Sequence, residues 1–248
     1  MTQRSMPAGQ TPTIVIHGGS VTVEGWNSDR IQANSDDRWG VQIEKRKVAD
    51  IGRERARAAI GDRILFDISI ANPFNQSKRR LKDFQGEAIE VRLGHGQIRV
   101  PLGSNLIVYT GRDAEVRHIR GRVMASAGRD LSVQDVQTLV HAAAGGDLNI
   151  DCATLGGDEF KFSAGRDLRF RVRDLNDAKV MIREAGTYWE AVLGSGRRKV
   201  WLHAGGEATL ITDREVKAQP PYYVLGNIEQ PAPATDESIT PAGTTQQD

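Results

Sequence analysis

A chain of 248 residues with 39% hydrophobic content carries enough apolar surface for a buried core. Its 33 Lys and Arg against 32 Asp and Glu leave a formal charge of +1, so no global excess of charge demands a polyanionic partner. The single cysteine, Cys152, excludes an intrachain disulfide, and no run approaches the roughly 20 apolar residues of a membrane-spanning helix.

Residues 1–12 are polar and read as a disordered start without a secretory signal, which points to a cytoplasmic protein. Thr13 to Ile16 begins the first strand, and Gly18 to Trp26 continues it with Val21 and Val23 on the inner side. Ile31 and Ala33, then Val41 to Glu44, carry the alternation further. Residues 45–60 form a basic insertion that reads equally as a short helix weakened by Gly52 or as an exposed charged excursion. Arg63 to Ile70 reads as a strand, Asn72 to Asn75 as a turn, and Gln76 to Asp83 as a second basic stretch. Alternation resumes at Ala88 to Leu93, Ile98 to Pro101 and Leu106 to Tyr109.

From Gly111 the chain repeats itself. Corners of the form Gly-x-Asp stand at Gly111 and Asp113, Gly128 and Asp130, Gly145 and Asp147, and Gly165 and Asp167. Weaker copies begin at Gly186 and Gly205, and the successive spacings are 17, 17, 20, 21 and 19 residues. After each glycine, positions three and five are apolar, as in Leu131 and Val133 or Leu148 and Ile150. That period of two marks a strand with one buried face. So much glycine at this spacing excludes a helical repeat. The fourth row ends on Val180 and Ile182, one residue out of step, which predicts a bulge before Ala185. Stacked rows of this period predict an all-β, single-stranded parallel β-helix, a β-solenoid wound right-handed in rows of about 17–21 residues. The solenoid spans residues 13–213, residues 214–228 form a C-terminal cap with Gln219 to Leu225 as its lid, and 229–248 form a disordered tail.

The corner aspartates could form a carboxylate ladder for a cation, but the nine-residue glycine and aspartate spacing of calcium-binding β-rolls is absent. Turn chemistry is the stronger expectation: aspartate bonded to the turn backbone and glycine supplying positive φ. His17, His95, His118, His141 and His203 are scattered, and Cys152 reads as an outward or corner-facing residue without a catalytic partner. No catalytic set, metal site or cofactor is expected. The best binding candidate is a basic strip of Lys161, Arg166, Arg169, Arg171 and Arg173, suited to an anionic glycan, an anionic surface or an acidic protein. Few aromatics interleave with it, which argues against nucleic acid.

The run Ile98 to Gly103, then Val108 to Asp113, then the G-x-D-L rows resemble a bacterial adhesin-like β-solenoid family of unknown function. The opening Gly19 to Trp26 is similar to that family's first strand, and the resemblance spans roughly residues 13 to 213. It implies the β-helix and a surface role, and brings no active-site residues. The combined expectation is a non-catalytic scaffold or binding module that associates with itself or a partner. A glycan-binding surface adhesin and a carbohydrate-active enzyme are the alternatives.

Overall fold

The computed structural model describes residues 2–38, 40–48, 84, 86–175, 177–212, 217–218 and 228–229. Among the described residues the chain is all-β, 72% strand without helix, in a large mixed sheet that does not close. Among the described residues no helix is long and apolar enough to cross a membrane. The opening strands are β1 (Thr2–Pro7), β2 (Thr13–Gly18), β3 (Ser20–Trp26), β4 (Arg30–Ser35) and β5 (Val41–Lys47). Then come β6 (Glu87–Leu93), β7 (His95–Pro101), β8 (Asn105–Thr110), β9 (Ala114–Ala127), β10 (Leu131–Ala144), β11 (Leu148–Leu155), β12 (Glu159–Ala164) and β13 (Leu168–Val172). The last are β14 (Ala178–Glu184), β15 (Thr187–Leu193), β16 (Arg198–Ala204), β17 (Ala208–Ile211), β18 (Lys217–Ala218) and β19 (Ile228–Glu229).

Two parallel ladders organise these strands. The first runs β6, β2, β8, the second half of β9, the second half of β10, β12, β16, β14. The second runs β7, β3, the first half of β9, the first half of β10, β11, β13, β17, β19. Strands β9 and β10 belong to both, each passing from the second ladder to the first within its length, and a corner glycine then leads back to the second ladder. Register is kept from level to level. In the second ladder Val21, Ala114, Leu131, Leu148, Leu168 and Ala208 form one continuous column. All six are buried, as the alternation requires. Inward side chains of both ladders merge into one core, where the rings of Phe162 and Phe170 meet at 5.3 Å. Val21 and small Ala114 on one side of the three leucines and Ala208 on the other keep that core filled.

The row expected at Gly186 is not a row. Strands β14 and β15 form an antiparallel hairpin in which Glu184 pairs Thr187, leaving Ala185 and Gly186 as a two-residue turn. Both turn residues have positive φ, 40° and 87°, the geometry that suits the twist of a hairpin. The out-of-step Val180 and Ile182 therefore reflect a hairpin rather than a bulge. Trp189 leaves the leucine column, and Ala208 takes the position beside Leu168.

Spatial order also departs from chain order at the other end. Strands β6 and β7 lie outside β2 and β3, although they come later in the sequence. Antiparallel strands finish that end: β5 on β6, β4 on β7 and β1 on β4. Thr2–Pro7, expected within a disordered start, is thus a paired strand. Lys45 to Lys47 of the predicted insertion complete β5. The rest of that insertion from residue 49, the strand at 63–70, the turn at 72–75 and the basic stretch at 76–83 lie outside the described residues. So do the lid at 219–225 and the tail from 230, while β18 pairs β15 and β19 pairs β17 at that end of the sheet.

Candidate functional site

The glycine corner is held together by contact between levels. A Cβ at Gly128 would stand 2.2 Å from the carbonyl oxygen of Gly111, at Gly145 2.1 Å from that of Gly128, and at Gly165 2.0 Å from that of Gly145. None of these glycines has positive φ. They are required because the backbones approach too closely for a side chain, which corrects the left-handed conformation expected of them.

The aspartates also act between levels. Asp130 Oδ1 accepts the N–H of Asp147 at 2.9 Å, Asp147 Oδ1 that of Asp167 at 3.3 Å, and Asp167 Oδ1 that of Glu207 at 2.9 Å. Arg129 donates to Asp113 at 2.7 Å, and Arg166 bridges Asp130 and Asp147 at 2.9 and 2.8 Å. The Arg129 guanidinium and, after it, the Asp130 N–H hold the Asp113 carboxyl below its ordinary range despite some desolvation. The corner thus neutralises itself, with arginines in place of a cation. Beside it runs an open groove of about 410 Å³ floored by the second ladder, with Thr22, Glu115, Ser132 and Asn149 along its polar side. Among the described residues no group of three or more His, Cys, Asp and Glu side chains is placed to hold a metal ion.

At the opposite corner is a cluster that the sequence reading passed over. His118 and Asp135 both have positive φ, 56° and 48°. The Asp135 carboxylate meets His118 Nδ1 at 3.0 Å, Arg120 at 3.1 and 3.2 Å, and Arg173 at 3.3 Å. Contacts from His118, Arg120 and Arg173, in that order, hold its carboxyl far below the usual carboxylate range. The available signal was the interval from His118 to Asp135, which equals one row.

The basic strip is divided. Arg169 and Arg171 are exposed neighbours on β13, whereas Lys161 lies on β12 in the other ladder. Arg166 is taken up by the corner aspartates, and Arg173 by Asp135 and Asp151. Only two of the five therefore share a surface. Cys152, expected outward or at a corner, is fully buried, and burial pushes its thiol up to about 12, so it is a neutral core residue. His141 is buried beside Met124, and His17 stacks on Tyr109 with its Nε2 3.1 Å from the buried Glu90.

The outer side of the first ladder changes character along its length. At the β2 and β8 end it is apolar and covered: Val15, Ile107, Met124 and Val140 form a second buried cluster with Val48 and Phe84. At the β16 and β15 end it is open, and Trp201 and Tyr188 are the exposed large hydrophobic side chains there. Compared with protein-family models, curated proteins and solved structures, the chain matches none.

Proposed function

We propose that this chain is a non-catalytic β-solenoid binding module, adhesin-like in build, that engages partners along its sides. Support for a wound solenoid comes from the two in-register parallel ladders, the strands β9 and β10 that turn from one to the other, and the corner glycines that recur at each level. Support for a non-catalytic role comes from the corner carboxylates, which are committed to main-chain N–H groups and guanidinium ions.

The observation that carries the side-binding reading is the finish at the C-terminal end. At the middle levels the first N–H of each second-ladder strand bonds to a carbonyl of the next level, as Leu131 does to Asp147 and Leu148 to Asp167. At the β17 level Glu184 Oε2 takes that place, accepting the Ala208 N–H at 2.7 Å. Trp189 Nε1 donates to the other oxygen at 3.3 Å. A side chain thus takes the place of the backbone acceptor there, the β14–β15 hairpin closes the first ladder with an antiparallel strand, and an end so altered is a poor template for another subunit. Antiparallel strands finish the opposite end in the same sense. The purified protein should scatter light as a discrete particle whose size is independent of concentration. Fibres, or a mass that grows with concentration, would reject the capped module.

A further inference from the structure

We propose that the outer face of β12, β16, β14 and β15 binds an anionic oligosaccharide, with Trp201 and Tyr188 as stacking platforms. The proposal rests on the reading of the sides as binding surfaces and names the ligand for one of them. Strand register sets the surface. Lys161 pairs Trp201, Trp201 pairs Met181, and Met181 pairs Glu190. One step along, Ser163 pairs His203, His203 pairs Arg183, and Arg183 pairs Tyr188. Val200, Leu202, Trp189 and Ala191 fill the core, so alternation sends Trp201 and Tyr188 outward.

Trp201 is 37% exposed and Tyr188 39%, and no other large hydrophobic side chain among the described residues is exposed to that degree. An open tryptophan and tyrosine on a rigid sheet are characteristic of recognition surfaces, because each ring offers a large apolar face at little cost in conformational entropy. Two strands and two residues separate them, roughly 12 Å on β-sheet spacings. A short oligosaccharide spans that distance, laying the C–H faces of its rings on the aromatics and its hydroxyls toward Ser163 and His203.

Charge selects an anionic sugar. Glu190 is occupied: it accepts the Tyr188 hydroxyl and pairs with Lys179 Nζ at 2.7 Å. Burial opposes its charge, but those two contacts outweigh burial and hold its carboxyl below the ordinary range. Lys161, Lys199 and Arg183 border the rings, and the carboxylate beside them, Glu159, lies opposite Lys199. A ligand with carboxylate or sulfate groups supplies acceptors for these cations. Nucleic acid fits less well, since two rings so far apart give no platform for successive bases.

The test is calorimetric titration of the full chain with a hexameric oligogalacturonate and, separately, a sulfated hexasaccharide, at low and at high salt. Binding of either one supports the proposal, and the comparison tells carboxylate from sulfate recognition. Trp201→Ala should weaken binding by more than about tenfold, the loss expected of an aromatic anchor. The double variant Lys161→Gln with Lys199→Gln should flatten the salt dependence while leaving the circular dichroism spectrum unchanged. No binding of either sugar, unaltered binding by both variants, or tighter binding of oligo-dT than of the sugars would each overturn it. Particles that stay discrete in light scattering without binding sugar would reject this ligand and leave the capped module standing. Fibres would reject the module whatever the titration gives.

Discussion

The middle levels and the two ends of this sheet solve the same problem by different means. From Gly111 to Ala164 each level hydrogen-bonds a near copy of itself, and one arrangement of glycine, aspartate and apolar alternation serves them all. At the ends no copy follows, and the chain turns to antiparallel strands and single side chains: β14 with β15 at one end, β4, β1 and β5 at the other. Glu184 makes the contrast explicit. It pairs Ala204 in the small-residue column of Thr110, Ala127, Ala144 and Ala164, yet it is a carboxylate, because there its task is to accept an N–H rather than to leave room. Repetition is economical where neighbours are alike, and termination needs residues that occur once.

The largest expected effect lies in the repeated part. Leu168 sits between Leu148 and Ala208 and is almost fully buried. Leu168→Asp places an unpaired charge there and should cost more than about 4 kcal/mol, enough to abolish cooperative folding. A thermal melt like that of the wild type would show that the column is misplaced. Next come two glycines that differ in kind. Gly145→Asn drives a Cβ onto the Gly128 carbonyl and should cost about 3 kcal/mol through overpacking. At Gly186 nothing lies within 4 Å and only φ is demanding, so Gly186→Asn should cost less than about 1 kcal/mol. Urea denaturation of the pair separates close approach from backbone conformation, and equal losses would erase the distinction.

Those two glycines also explain what the sequence reveals. Gly145 and Gly186 both follow alanine at a similar interval, and only partner strands tell them apart. The corners from Gly111 to Gly165 are legible because each is repeated, and the alternation of Leu131, Val133, Leu148 and Ile150 places them inward without further information. The hairpin reads as a row in the sequence because a turn glycine with positive φ and a stacked glycine look alike in one dimension. The basic strip was misjudged for a related reason. Arg166 and Arg173 are near Arg169 and Arg171 in sequence, but corners separate them in space and supply carboxylates from earlier levels. The meaning of Trp201 and Tyr188 depends on two strands, β14 and β15, that the row pattern places elsewhere.

The finish at the C-terminal end carries the third expectation. Glu184→Ala leaves the Ala208 N–H and the Trp189 Nε1–H without their acceptor in a buried setting. The loss should be about 2 kcal/mol, within the range for hydrogen bonds to a charged group. It should also expose an unfinished ladder, so light scattering should detect larger assemblies than the wild type forms. Destabilisation without assembly would mean that the hairpin strands, rather than this carboxylate, close the end.

The smallest expected effect concerns the opposite corner and depends on pH. The folded protein holds the Asp135 carboxyl far below its usual range, chiefly through His118 and then Arg120 and Arg173. A depressed carboxyl stabilises the fold above the unfolded pKa, near about 3.9, and that contribution disappears as pH falls toward the folded value. The group is partly exposed, so solvent screening keeps the benefit small. Asp135→Asn tests this without disturbing the backbone, since asparagine tolerates the left-handed conformation that Asp135 adopts at φ 48°. At pH 7 the variant should have a lower urea midpoint than the wild type, and the gap should narrow as pH falls below about 4. A gap that stayed constant from pH 7 to pH 3 would mean that Asp135 supports the corner through shape and hydrogen bonding alone, and that its charge contributes nothing measurable.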